Sequence, residues 1–147
     1  MHIRMALSLA SFLMLLVSSL AYSIDNPDAP DLVSEFESRE QPLIEAADNS
    51  TGYRDALLAY TSYLEFLDKE LNVVYKAVQS KLPKEKQQQL KQSQVSWLKY
   101  RDLEFKLIED TWTKDDFGTS SAITRGQHKA AIVRARVIQL MHYTRSL

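Results

Sequence analysis

Apolar side chains recur along most of this chain at steps of three and four, the spacing of an amphipathic helix. From Tyr53 to Lys81 the stripe reads Leu57, Tyr60, Leu64, Leu67, Leu71, Tyr75 with Val74 beside it, and Val78, closing on Leu82. Ser50 or Thr51 stands where an N-cap belongs. Pro83 stops this helix and suits the first turn of the next, where its missing N–H costs nothing. Glu85 in that turn favours the positive end of the dipole. The spacing predicts a second long helix over Lys84–Thr111, with Leu90, Trp97, Leu98, Phe105, Ile108 and Trp112 on one side. The polar, glycine-containing segment 113–120 reads as a loop. A third helix is expected over Ser121–Thr144, with Ile123, Ala130, Val133, Val137, Leu140 and Met141 at helical spacing. No run alternates with the period of a strand. The expected fold class is all-α: a long antiparallel helical hairpin plus a third helix, together a three-helix bundle.

The N-terminal pattern differs. Arg4 gives the first residues one positive charge, and residues 5–20 are almost continuously apolar. Small residues follow at Ala21 and Ser23, and acidic, proline-containing sequence begins at Asp25. These are the three parts of a secretory signal peptide, expected over residues 1–23 with the cut after Ala21 or Ser23. The alternative, an uncleaved anchor, is disfavoured because the run is short for about 30 Å of hydrocarbon. Residues 24–51 read as a loosely ordered leader broken by Pro27, Pro30 and Pro42, with helical turns around Leu32–Arg39 and Leu43–Ala47. The helical domain is expected over residues 52–147. With no cysteine in the chain, a lipid-bearing N-terminal Cys is excluded and no disulfide contributes to stability. The expected location is the periplasm or the medium, with no membrane attachment after cleavage.

Two polar residues interrupt the apolar face of the second helix. Gln94 and Arg101 fall in the middle of its stripe. A buried guanidinium must be paired, or its burial costs several kcal/mol. Asp68 and Asn72 flank the stripe of the first helix, and in a hairpin turning at Leu82–Pro83 Asp68 lies about one turn from the level of Arg101.

Without Arg4 the chain carries 17 basic and 19 acidic residues, a formal charge of −2 that gives no reason to expect nucleic acid. The distribution is uneven. Twelve acids lie between Asp25 and Glu70 against Arg39, Arg54 and Lys69, whereas Ile123–Leu147 holds five bases and no acid. Either the two sets neutralise each other in the folded bundle, or the acidic half steers a basic protein partner into contact.

Candidate chemistry is sparse. His128 and His142 lie roughly 20 Å apart along a helix at about 1.5 Å per residue, too far for one metal ion. There is no HExxH, CxxC, EF-hand loop, phosphate-cradling glycine run or serine elbow. Glu109-Asp110 and Asp115-Asp116 read as solvated charge. No enzymatic role, cofactor or metal is expected. Trp97 and Tyr75 sit on apolar stripes, while Tyr100 lies away from the Arg101 stripe and faces either the third helix or a partner.

Asp68-x-x-Leu71-Asn72-x-x-Tyr75 followed by Gln94-x-x-Trp97-x-x-Tyr100-Arg101-Asp102 resembles the LprI-like lysozyme inhibitor family of small exported bacterial helical proteins. The resemblance spans about Tyr53 to Arg145, and Arg136 fits the basic residue of the family's third helix. Family members commonly carry cysteines, one shortly after the Arg-Asp pair, where this chain has Phe105. The resemblance implies an exported protein that binds and blocks a lysozyme by protein–protein contact. Acidic positions such as Glu45, Asp48, Asp55 and Glu65 are candidates for meeting that basic enzyme. The motif residues themselves read as a polar clasp fixing the register of the hairpin. The rival reading is an interaction, adaptor or immunity protein of the envelope with no affinity for lysozyme. Oligomeric state is open.

Overall fold

A computed structural model describes residues 31–147. The expected signal peptide, its expected cut after Ala21 or Ser23 and the first residues of the expected leader lie outside that range. The compact unit is Asp31–Leu147, so it begins well before residue 52. Its five helices are α1 (Leu32–Asp48), α2 (Tyr53–Lys81), α3 (Lys84–Thr111), α4 (Lys114–Phe117) and α5 (Ser120–Ser146). The described residues contain no strand, and none of their helices is long and apolar enough to cross a membrane.

The bounds of α2 and α3 are those the spacing predicts. The N-cap of α2 is Gly52, not Ser50 or Thr51. The Ser50 hydroxyl instead donates to the Ala47 carbonyl at the end of α1 (2.7 Å). Within the expected loop 113–120, Thr113 caps the single-turn α4 by accepting the Asp116 N–H (3.2 Å). Gly118, at φ 60°, then turns the chain into α5.

The largest departure is α1. The segment expected to be a loose leader is one continuous 17-residue helix running through Pro42. Asp31 caps it by accepting the Ser34 N–H (3.2 Å). A proline inside a helix costs about 3 kcal/mol. Burial offsets that cost. Phe36 is fully buried and stacks on Phe66 of α2 (ring centroids 5.9 Å apart), while Leu32, Val33, Leu43 and Ile44 pack partly buried beside it. Burying one large apolar side chain is worth about 1.5–3 kcal/mol, and this helix buries several in part.

α5 is the hub, touching all four other helices and lying most extensively against α2. Leu67, Leu71, Val74 and Val78 of α2 cluster with Val133, Val137, Leu140 and Met141 of α5. The inward face of α2 is rotated slightly from the expected stripe: Ala56 and Tyr63 are buried, while Leu57 is 46% exposed. Between α2 and α5, the ring of Tyr60 fills the space a Cβ on Gly126 would take.

α1 is fastened by a buried polar group. Glu40, 1% exposed, accepts from Arg134 of α5 (2.6 and 2.8 Å) and from the Tyr63 hydroxyl of α2 (2.8 Å). Arg134 also donates to Glu37 (2.9 Å). Burial, then the hydrogen bond and charge of Glu40, push the Tyr63 hydroxyl well above its ordinary range.

Two measurements check this packing. Gly126→Ala should lower stability by about 1–3 kcal/mol, seen as a lower urea midpoint at unchanged slope. Gly52, with open space around it, should tolerate alanine within about 1 kcal/mol. Because the folded state holds Tyr63 protonated, its contribution is fully present below about pH 10 and is lost as pH rises toward the raised folded value. The wild type should therefore lose stability more steeply above about pH 10 than Tyr63→Phe does, in denaturation midpoints taken across that range.

Candidate functional site

The two-residue turn Leu82–Pro83 sends α3 back along α2, yet the hairpin does not close. Between them lies a groove of about 360 Å³. Its apolar walls include Leu71, Tyr75 and Leu98, and its polar rim is Asp68, Asn72, Gln94 and Arg101. Asp68, Leu71, Asn72 and Tyr75 of α2 thus meet Gln94 and Arg101 of α3 along one open cleft. α3 fully buries only Leu90 and Ile108 along its 28 residues. On its other side a second groove, of about 580 Å³, runs against α5 past Trp97, Tyr100, Ala135 and Arg136.

Arg101 lies at the edge of the first groove. It is 20% exposed, donates to Asp102 from Nε and Nη2 (3.0 and 2.8 Å), and reaches Asp68 only at 3.5 Å. Both carboxylates are largely in solvent. Asn72 turns back on its own helix, its amide donating to the Asp68 carbonyl (2.8 Å). Of the first motif, Leu71 is buried in the core and Tyr75 packs partly buried against it.

The buried cation is Arg136, 6% exposed on α5. It donates to Gln94 Oε1 (3.1 Å), Gln139 Oε1 (2.7 Å) and Ser93 Oγ (3.3 Å). These are three neutral acceptors. Burial therefore holds its affinity for the proton below the ordinary arginine range, with Tyr143 opposing. Trp97 lies beneath both cations, its ring centre 5.9 Å from the Arg136 guanidinium carbon and 5.7 Å from that of Arg101. The motif therefore divides. Gln94 and Trp97 latch α3 to α5, and Asp68, Asn72 and Arg101 line the cleft between α2 and α3. Phe105 packs partly buried beneath Arg101 and Lys129. Tyr100 is half exposed, and Leu103 and Leu107 continue its outer stripe.

The four acidic candidates are all exposed. Glu45 and Asp48 share the last turn of α1, and Asp55 follows in the first turn of α2, accepting from Thr51 (3.4 Å). Glu65 stands apart, roughly 15 Å further along α2 at about 1.5 Å per residue. None of the four belongs to the ion pairs seen among the described residues. Nor do three or more His, Cys, Asp or Glu side chains gather there as a metal site. His128 packs on the ring of Trp112 (4.6 Å).

The model of the family described as Lysozyme inhibitor LprI matches residues 45–140. This chain belongs to that family. The LprI match runs from the last turn of α1 to Leu140 of α5, so it takes in both grooves and the Arg136 latch. No curated protein and no solved structure matches the chain.

Sequence reasoning missed Glu40, Tyr63 and Arg134. The available signal was the run Leu32, Phe36, Leu43 and Ala47, whose three- and four-residue steps pass through Pro42 with Glu40 among them. For the LprI motif, the two arginines should separate on replacement by methionine. Arg101→Met should cost less than about 1 kcal/mol, because its partners are exposed. Arg136→Met removes three charge-assisted hydrogen bonds made by a buried guanidinium and should cost about 1–3 kcal/mol. Chemical denaturation followed by the fluorescence of Trp97 and Trp112 reads both; equal effects would make Arg101 as much a part of the clasp as Arg136.

Proposed function

We propose that this protein is an exported inhibitor that binds a lysozyme through protein–protein contact and blocks its glycan cleft. The observation that carries this reading is membership of the LprI family over residues 45–140. The N-terminal pattern of Arg4, an apolar run and small residues at Ala21 and Ser23 supports export to the compartment where lysozymes act. The protein works as a rigid binding surface and not as an enzyme. Its association is assisted by charge: Glu45, Asp48, Asp55 and Glu65 are exposed and outside the internal ion pairs, available to a strongly basic enzyme.

The test is muramidase activity on peptidoglycan, with the purified mature protein titrated against chicken-type, goose-type and invertebrate-type lysozymes at low and moderate salt. Stoichiometric inhibition of one class is expected, with association slowing as salt rises. Neutralising Asp55 and Glu65 together should slow association severalfold and leave dissociation nearly unchanged. Absence of binding to every class would move the function to an envelope adaptor or immunity protein, to be sought by pull-down from envelope extract.

A further inference from the structure

The end of α1 breaks a local electrostatic rule. The C-terminal end of a helix carries partial negative charge and is stabilised by bases. α1 has no base in its last turn and carries Glu45 and Asp48 there instead. Beside this end, α1, α2 and α5 leave a mostly apolar cavity of about 230 Å³. Ile44, Ala47, Tyr60, Tyr63 and Ala130 give it apolar and aromatic walls, and Asp48 contributes the carboxylate. Burial and the charge of Asp48 together hold the Tyr60 hydroxyl above its ordinary range, so the charge is felt at the wall. No cation lines the cavity, and Arg134, which acts on the Tyr63 hydroxyl, is already committed to Glu37 and Glu40.

An apolar, aromatic-walled cavity with a carboxylate at its rim and a negative helix end beside it suits one kind of side chain. We propose that this cavity is the anchor site for an arginine side chain presented by a basic protein partner. The aliphatic stem lies along Ile44 and Ala130, as long basic side chains lie on apolar surface. The guanidinium meets Asp48 as a planar fork on a carboxylate and faces the end of α1. Arginine is favoured over lysine because its weaker hydration makes entry among tyrosine rings less costly. This inference rests on the reading of the protein as a binder of a basic enzyme and names the contact such an enzyme would make. It also stands on a cavity that can be probed without any enzyme.

The probe is N-acetyl-arginine amide, titrated into isotopically labelled full mature protein and followed by amide chemical shifts. Shifts confined to Ala47, Asp48, Tyr60, Gln127 and their neighbours are expected. They should weaken at least fivefold with the uncharged isostere N-acetyl-citrulline amide, and likewise with Asp48→Asn. That variant should fold with an unchanged or higher thermal midpoint, since it removes a negative charge from a helix end that disfavours it. Ala131→Phe, at an exposed position lining the same cavity, should close the mouth and abolish the shifts by a different route. Shifts scattered over the surface, or equal for arginine and citrulline, would overturn the proposal. So would shifts that persist in both variants. Failure of the wild type to inhibit any lysozyme, with the arginine shifts intact, would instead overturn the lysozyme reading and leave the anchor site standing.

Discussion

The fold depends on one helix that has bases and no acid. α5 carries no Asp or Glu, so its cations must look to other elements for a charged partner. Arg125 donates to the Trp112 carbonyl at the end of α3 (3.0 Å) and to the Tyr53 hydroxyl of α2 (2.8 Å). Lys129 pairs with Glu109 of α3, Arg134 with Glu37 and Glu40 of α1, and Arg136 reaches Ser93 and Gln94 of α3. In return, Lys81 of α2 donates to the Thr144 carbonyl near the end of α5 (2.6 Å). Apolar packing between α2 and α5 supplies most of the burial, but it is non-directional. The cations add direction: Arg125, Lys129 and Arg136 tie α5 to α3 at three levels, Arg125 also reaches α2, and Arg134 ties it to α1. Most of the basic excess of the C-terminal segment is therefore spent inside the protein, while Glu45, Asp48, Asp55 and Glu65 of the N-terminal half stay outside the ion pairs seen among the described residues.

That division explains what could be read from the chain and what could not. α2 and α3 were legible to the residue because helical spacing of apolar residues runs the length of each, despite Gln94 and Arg101 in α3, and Pro83 marks the boundary between them. α1 was not, because Pro42 argues locally for a break and the opposing argument is tertiary. A single buried carboxylate with its partners on α2 and α5, together with Phe36 against Phe66, decides the matter. Those partners lie 23 and 94 residues away along the chain. No local rule reaches that far. The same holds for Leu57, which has the spacing of a core residue and is exposed while its neighbour Ala56 is buried.

The polar motif was legible as a set of residues but not as an arrangement. Placed at 100° per residue, Arg101 sits at the centre of the apolar face of α3, and a closed hairpin would bury it against Asp68. The hairpin stays open because α3 is drawn toward α5. Arg136 holds Gln94 and Ser93, and Trp97 lies against the same guanidinium. With α3 held at that edge, the flank bearing Leu98 and Arg101 faces a cleft and not a partner helix. Which arginine is buried was thus set by a contact across 42 residues, beyond the reach of periodicity within one helix.

The acids of α1 carry this logic to the surface. Carboxylates at the wrong end of a helix cost stability, each about 0.3–1 kcal/mol at exposed sites. Natural sequences tend to break local rules of this kind where function requires it. Had Glu45 and Asp48 served only solubility, the opposite end of the same helix would have held them at no cost. They instead stand on the last turn of a helix fastened through Phe36 and Glu40, next to a cavity walled by Tyr60 and Tyr63. A helix anchored in that way presents its end with little freedom, so a partner's cation meets a preorganised carboxylate and loses little entropy on binding. The buried pair that sequence reasoning missed in α1 therefore has a second consequence: it fixes the geometry of the charge that α1 offers outward.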